Sequence, residues 1–153
     1  MDDYFKQYYS LLFESSDMIC KNEFSKAREI SRWKSHIIRG WDSIEVISKK
    51  LMSNSGKSIR LGELFKAELT VDLNELSKSD FGVEVVFTQK NLEGLPEIKS
   101  VYEMDSQIND QGQVIFSCEI PAKRTGKFNY AFRMFPNSDM LPHRQDFALV
   151  KWL

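Results

Sequence analysis

Apolar and polar residues alternate with a period of two through much of the chain, and most clearly in the stretch 128–136. Phe128, Tyr130, Phe132 and Met134 occupy every second position there. Successive side chains of a β-strand point to opposite faces, so this period sends the rings to one face of a sheet. Pro136 ends the pattern because proline has no backbone N–H to donate. We predict a strand whose rings are buried by other strands.

The same period predicts further strands. The longest alternation covers 61–73, where a polar face opposes an apolar one, and weaker patterns cover 44–52, 81–89, 98–104, 114–120 and 147–152. Turn-forming residues separate these segments. The segment 98–104 is weak enough to be an edge strand. About seven short strands, interrupted only by a single helical turn, favour an antiparallel two-sheet sandwich of the immunoglobulin-like kind.

Helical spacing replaces the alternation in the first 40 residues. One helix is predicted over 2–20 and a second from Asn22, a reasonable N-cap, to Gly40, with a break at Lys21-Asn22 that predicts an antiparallel helical pair. The fold class is therefore α+β, mainly β, with a helical segment at 1–41 and a β-sandwich domain at 42–153. The first helix has a broad aromatic face, predicted to be a domain interface, formed by Tyr4, Phe5, Tyr8, Tyr9 and Leu12.

Composition excludes several classes of partner. The 153 residues carry a formal net charge of -1 with both signs interspersed, which argues against a nucleic-acid-binding surface. No run of 18 apolar residues predicts a membrane span, and the acidic N-terminus does not resemble a signal peptide. A cytoplasmic protein is the expectation. Cys20 and Cys118 lie in no metal or redox spacing and are interpreted as buried free thiols.

Candidate chemistry is sparse. His36 and His143 are the only histidines and have no companion ligands in sequence, so neither a metal site nor a catalytic residue is predicted. No nucleophile, phosphate-loop or dinucleotide motif is present. Trp41, Tyr102 and Trp152 are candidate sugar-stacking residues, although large rings at such spacings more often belong to a core.

The order of several short motifs resembles the end of a known enzyme family. The segment from Tyr4 to Tyr9, followed by Ala27-Arg28, Trp33-Lys34 and Trp41, is similar to the close of the catalytic region in α-glucan (glycogen) phosphorylases of the long, maltodextrin-phosphorylase-like type from bacteria and archaea. The β-rich tail of those enzymes is similar to 71–73, 76–85, 124–128, 132–136 and 147–152. The resemblance covers nearly the whole chain.

This resemblance implies a non-catalytic C-terminal module with a structural or glucan-positioning role. The family transfers glucosyl units from α-1,4-glucan to phosphate, giving glucose 1-phosphate, with pyridoxal phosphate bound as a lysine Schiff base. The motifs that hold the cofactor belong to the large catalytic domain, so no catalytic or cofactor-binding residue is carried over to this chain. The implied partners are that catalytic domain, against which the aromatic helix face would pack, and α-glucan. Met1 would then not be the natural start.

Two other functions remain open from the sequence. One is a free-standing carbohydrate-binding module that stacks glucan on Trp41, Tyr102 or Trp152. The other is a protein-interaction domain that uses its first helix or an edge strand.

Overall fold

The computed structural model describes residues 10–51, 61–123 and 125–153, with side chains from Phe24 onward. The described residues form one α-helix, α1 (Ser10–Gly40), and short 3-10 helices at Trp41–Ser43, Lys78–Asp80 and Arg144–Asp146. They also form eight strands, so the protein is mainly β as predicted. These strands are β1 (Glu45–Leu51), β2 (Leu64–Asp72), β3 (Phe81–Lys90), β4 (Pro96–Glu103), β5 (Asp105–Ile108), β6 (Val114–Pro121), β7 (Asn129–Pro136) and β8 (Lys151–Trp152).

The strands form two antiparallel four-stranded sheets. The first sheet has the order β1-β2-β6-β5 and the second has the order β4-β3-β7-β8. The predicted edge position of the segment 98–104 is confirmed, because β4 lies at the edge of the second sheet. Among the described residues, no helix is both long and apolar enough to cross a bilayer.

One apolar core lies between the two sheets. The inward side chains of β2 follow the predicted alternation, and Leu69 and Val71 are completely buried. β7 contributes Phe132 and Met134 from the opposite sheet, each with at most 3% of its surface exposed. Burying a large apolar side chain stabilises the fold by about 1.5–3 kcal/mol. Phe132 and Met134 thus have the packed partners that the pattern requires, whereas Tyr130 of the same row is 41% exposed.

The prediction of two helices is wrong for the described part of the chain. α1 continues through Lys21 and Asn22, where the sequence pattern predicts a break. No glycine or proline occurs between Ser10 and Arg39, so the sequence contains no residue that must end a helix there. The backbone of Phe24 is irregular, because its φ of 62° is unusual for a bulky residue.

The C-terminal end of α1 packs on the two-sheet core. Ile37 is completely buried in that core. Trp33 donates a hydrogen bond from Nε1 to Oδ1 of Asp80 over 2.8 Å, and its ring meets the ring of Phe147 edge-on at 5.5 Å. An apolar anchor and a polar contact therefore fix the helix to the strands.

The strand β5 does not follow from the sequence pattern, which predicts a single strand at 98–104 followed by a turn. Met104 separates β4 from β5, and the chain passes from the second sheet to the first at this residue. The Met104 side chain is buried and its N–H donates to the carbonyl of Val83. The predicted strand at 147–152 is also shorter than expected, since only Lys151 and Trp152 pair with β7.

The prediction of a buried free thiol is confirmed for Cys118, whereas the side chain of Cys20 lies outside the described residues. Burial raises the pKa of the Cys118 thiol. A backbone hydrogen bond from Ala67 lowers this pKa, and the nearby Asp105 carboxylate raises it further. The reactive form of a thiol is the thiolate, which a raised pKa makes scarce at neutral pH.

We therefore expect Cys118 to react slowly with iodoacetamide in the native protein at pH 7.5. The folded protein holds the proton of the Cys118 thiol more tightly than the unfolded chain does. The protonated thiol therefore stabilises the fold at a pH below the pKa that the thiol has in the unfolded chain. This stabilisation is lost as the pH rises through the higher pKa that the thiol has in the folded protein. Peptide mass spectrometry after timed alkylation measures the rate, with the urea-unfolded protein as control. Equal rates in the folded and unfolded protein would contradict the expectation.

Candidate functional site

An open groove lies between the edge strand β1 of the first sheet and β7 of the second. Its volume is about 500 Å³, which is within the range of small-molecule binding sites. The lining includes rings, ammonium groups, an amide and strand backbone. The residues that line it are Lys49, Lys50, Leu51, Phe128, Asn129, Tyr130, Ala131, Phe132 and Leu153.

Beside Tyr130, the described residues pair with β7 on one side only, through β3. β8 pairs with β7 only at Arg133 and Met134, after which the N–H of Leu153 donates to the carbonyl of Phe132. Alternate residues of an antiparallel strand direct their N–H and C=O groups to the same neighbour. The N–H and C=O of Tyr130 therefore point to the same side as the carbonyl of Phe132, away from β3.

Side chains give the groove an apolar floor and a polar rim. The Tyr130 side chain is 41% exposed, and its ring meets the ring of Phe65 at 5.5 Å and the ring of Phe132 at 5.8 Å, in edge-on geometry. Lys49 pairs with the core residue Leu69, so its side chain lies on the inner, groove-facing side of β1. Lys50 forms an ion pair with Glu68 over 3.3 Å on the other side.

A buried carboxylate lies on the outer face of the second sheet. Glu84 is only 6% exposed and accepts hydrogen bonds from Arg133 Nε at 3.1 Å and Nη2 at 2.5 Å, and a further one from Arg144 Nη1. The Arg144 guanidinium lies 4.4 Å from the centre of the Phe135 ring, and the Arg133 guanidinium lies 5.5 Å from the Trp152 ring. Both carboxylate oxygens of Glu84 are thus held by guanidinium groups, which suits a structural ion pair.

The three candidate sugar-stacking residues are not brought together. Trp41 is 9% exposed and packs in the core, with its ring 5.9 Å from that of Phe81. Tyr102 on β4 is 37% exposed and Trp152 on β8 is 57% exposed, and these strands lie at opposite edges of the second sheet. A stacking role for any of them stays a prediction.

The predicted interface residues cannot be assessed in the same way. Tyr4, Phe5, Tyr8 and Tyr9 lie outside the described residues, and so does the side chain of Leu12. Of the two histidines, His143 caps a 3-10 helix, because its Nδ1 accepts a hydrogen bond from the N–H of Gln145. Within 10–51, 61–123 and 125–153, no cluster of three potential metal-binding side chains occurs.

Neither the groove nor the ion pairs of Glu84 are predicted by the sequence pattern, which places the rings of Phe128 and Tyr130 in the core. The available signal for the groove is the polar character of the neighbours of these rings, Asn129 and Lys127, which is unusual in a fully covered strand. The signal for the ion pairs is an acid on β3 opposite an arginine on β7. This signal can be used only when the register of the two strands is known.

Comparison with known proteins agrees with the resemblance. The chain is 27% identical over 154 aligned residues to the maltodextrin phosphorylase of Thermococcus litoralis, an alignment that covers 98% of this chain and 17% of that protein. The chain therefore spans about a sixth of the length of the curated relative that it matches. Residues 41–153 match the family model of the glycogen phosphorylase C-terminal domain. These residues are most of the chain, which therefore belongs to the glycogen phosphorylase C-terminal domain family.

Proposed function

We propose that this chain is the non-catalytic C-terminal module of an α-glucan phosphorylase, with a structural or glucan-positioning role. The whole enzyme would transfer glucosyl units from α-1,4-glucan to phosphate and release glucose 1-phosphate. The observation that carries the proposal is the family match over residues 41–153. The relative that matches the whole chain is named a maltodextrin phosphorylase and is about six times longer.

The arrangement of ionisable groups supports a non-catalytic role. A general acid or base must be able to exchange a proton with substrate. Glu84, the most buried carboxylate of the described residues, is instead held by Arg133 and Arg144. The space between the sheets is filled by apolar side chains. The described groups therefore suit a scaffold better than a reaction centre.

Pyridoxal phosphate is proposed to bind to the rest of the enzyme. A Schiff-base lysine is activated by desolvation or by a neighbouring cation. Several lysines of this chain are instead engaged with carboxylates or backbone carbonyls, and these do not fit that requirement. They are Lys50 with Glu68, Lys66 with Glu119, Lys99 with Glu97, and Lys151 with the carbonyl of Trp41.

The proposed organisation follows from the same assignment. Residues 1–41 would be the end of the catalytic region, and 42–153 would be an immunoglobulin-like sandwich that docks on it. The buried end of α1, with Ile37 in the core, supports a helical connection that is rigidly attached to the sheets. The catalytic domain would be the main partner, in a cytoplasmic enzyme without a nucleic-acid or membrane partner.

The proposal predicts that the isolated 153-residue chain has no phosphorolytic activity. We expect no glucose 1-phosphate above the no-protein background when the chain is incubated with maltoheptaose, inorganic phosphate and pyridoxal phosphate. A coupled assay for glucose 1-phosphate measures this, with an intact α-glucan phosphorylase as positive control. Turnover that co-purifies with the chain would refute the non-catalytic role.

A further inference from the structure

We infer that residues 33–40, the last two turns of α1, form a helix lock that makes the helix and the two sheets one rigid body. The family match begins at residue 41, and the sequence predicts a domain boundary between 41 and 42, so both leave this segment outside the sandwich. For the whole enzyme the inference rests on the proposed function, in which the catalytic region precedes this module. A movable joint between the two would then lie before Trp33, and not at the end of α1.

The described side chains of α1 fall into two groups that meet at Trp33. From Phe24 to Arg32 every side chain is exposed or partly exposed, and Phe24 is 56% exposed. Ile37, in contrast, is completely buried between the sheets. Among the described side chains of the helix, Trp33 is the first that packs on the core. The contacts that hold the helix are therefore concentrated in the helix lock.

Polar contacts join the helix lock to two connections of the second sheet. Trp33 Nε1 donates a hydrogen bond to Oδ1 of Asp80, the residue directly before β3, over 2.8 Å. The carbonyl of Asp80 also accepts a hydrogen bond from the N–H of Asn137, directly after β7, so Asp80 joins the helix to both central strands. Lys34 Nζ donates to the carbonyl of Asp146, between β7 and β8, over 2.6 Å. The helix lock is thus held from both connections.

Close packing at Gly40 holds the end of the helix. A Cβ atom at Gly40 would lie 2.7 Å from Cδ2 and 2.8 Å from Cγ of Leu76, which is buried in the connection between β2 and β3. A glycine is needed there because any side chain would push the helix away from the sheets. Directly after the helix, Lys151 of β8 donates from Nζ to the carbonyl of Trp41 over 2.9 Å. A segment held by a buried side chain, a close approach and hydrogen bonds should open only when the sheets themselves unfold.

Native-state hydrogen exchange of the 15N-labelled 153-residue chain, followed by NMR, tests the inference. We expect the amides of residues 37–39 to exchange within about tenfold of the slowest amides of β3, because both require the same global opening. The amides of residues 25–30 are expected to exchange at least about tenfold faster than those of β3. Asp80→Ala removes the acceptor of Trp33 and is expected to accelerate exchange in 37–39 and in β3 alike, by about tenfold, the equivalent of one hydrogen bond to a charged group.

Two variants serve as matched controls. Asp80→Asn keeps an oxygen that can accept from Trp33, so we expect it to change the exchange rates by about threefold at most. Arg32→Ala changes an exposed side chain of the same helix before the helix lock, and it is expected to leave the amides of β3 unchanged. Gly40→Ala is an independent variant, expected to accelerate both groups of amides about tenfold through its contact with Leu76, although alanine is the better helix former.

Two results would overturn the inference. One is exchange of residues 37–39 in the unchanged chain that is more than about tenfold faster than exchange of the slowest β3 amides. The other is acceleration of the helix amides by Asp80→Ala and Gly40→Ala without any acceleration in β3, because the helix end would then open independently of the sheets. Exchange rates do not depend on the assay of phosphorolysis, so this inference and the proposed function can fail separately.

Discussion

Replacement of Glu84 by glutamine is expected to lower the free energy of unfolding by about 3 kcal/mol, the cost of removing one partner from a buried ion pair. The Glu84 side chain is 8% exposed and the Arg133 side chain is 19% exposed, whereas the Arg144 side chain is 46% exposed, so the pair with Arg133 carries most of this cost. The neutral amide would leave two guanidinium groups, of Arg133 and Arg144, without their common counter-ion. Urea denaturation followed by tryptophan fluorescence measures the change.

A surface ion pair provides the matched control. Glu119 pairs with Lys66 over 2.5 Å, but the two side chains are 59% and 39% exposed. Glu119→Gln is therefore expected to cost at most about 1 kcal/mol, since water and salt already screen such pairs. If the two glutamine variants unfold at the same urea concentration, the ion pairs of Glu84 contribute no more to the free energy of unfolding than a surface ion pair does.

The sequence pattern does not predict that Glu84 is buried, because of the position of Glu84 on its strand. Val83 and Val85 flank it and point inward, so alternation places Glu84 on the other face, which is normally exposed to water. That face is not exposed here, because Val86 and Phe135 on it are also buried. Apolar residues on both faces of β3 and β7 are a signal of a covered outer face, but they cannot identify what covers it.

Much of the strand pattern could be predicted, because alternation reports directly on one-sided burial. β2 and β7 follow it closely, since the inner side chains from Phe65 to Val71 and from Phe132 to Met134 are buried. The passage from β4 to β5 could not be predicted. It depends on Met104 alone, whose N–H bonds across to Val83, and a single residue leaves no periodic signal.

The length of β8 could not be predicted for a related reason. The pattern at 147–152 predicts a full strand, whose first residues would pair with β7 beyond Met134 in the observed register. Phe147 instead packs edge-on against Trp33 of α1, and only Lys151 and Trp152 pair with β7. A contact between residues more than 100 positions apart therefore accompanies the late start of β8, and a local pattern cannot report such a contact.

Replacement of Gly82 by alanine is expected to lower the free energy of unfolding by about 2 kcal/mol, a typical cost of overpacking. Gly82 lies on β3 directly opposite Phe135 of β7. A Cβ atom at Gly82 would lie 2.5 Å from Cζ of the Phe135 ring and 2.7 Å from its Cε2. The ring cannot easily move away, because it is buried and the guanidinium of Arg144 lies 4.4 Å from its centre. Thermal and urea denaturation of the variant measure the effect.

A double-mutant cycle with Phe135→Leu separates this clash from a general effect of changing a glycine. The smaller side chain leaves room for the new methyl group, so Gly82→Ala should cost less in the Phe135→Leu background, with a coupling of about 1–2 kcal/mol. Gly112→Ala is the control for backbone strain, because Gly112 has a φ of +80° but a Cβ atom added there would meet nothing within 4 Å. We expect it to cost about 1 kcal/mol with no coupling to Phe135. Equal costs of Gly82→Ala in both backgrounds would show that the Phe135 ring does not require a glycine beneath it. Coupling of the expected size would show that Gly82 and Phe135 pack as one unit on the outer face of the second sheet.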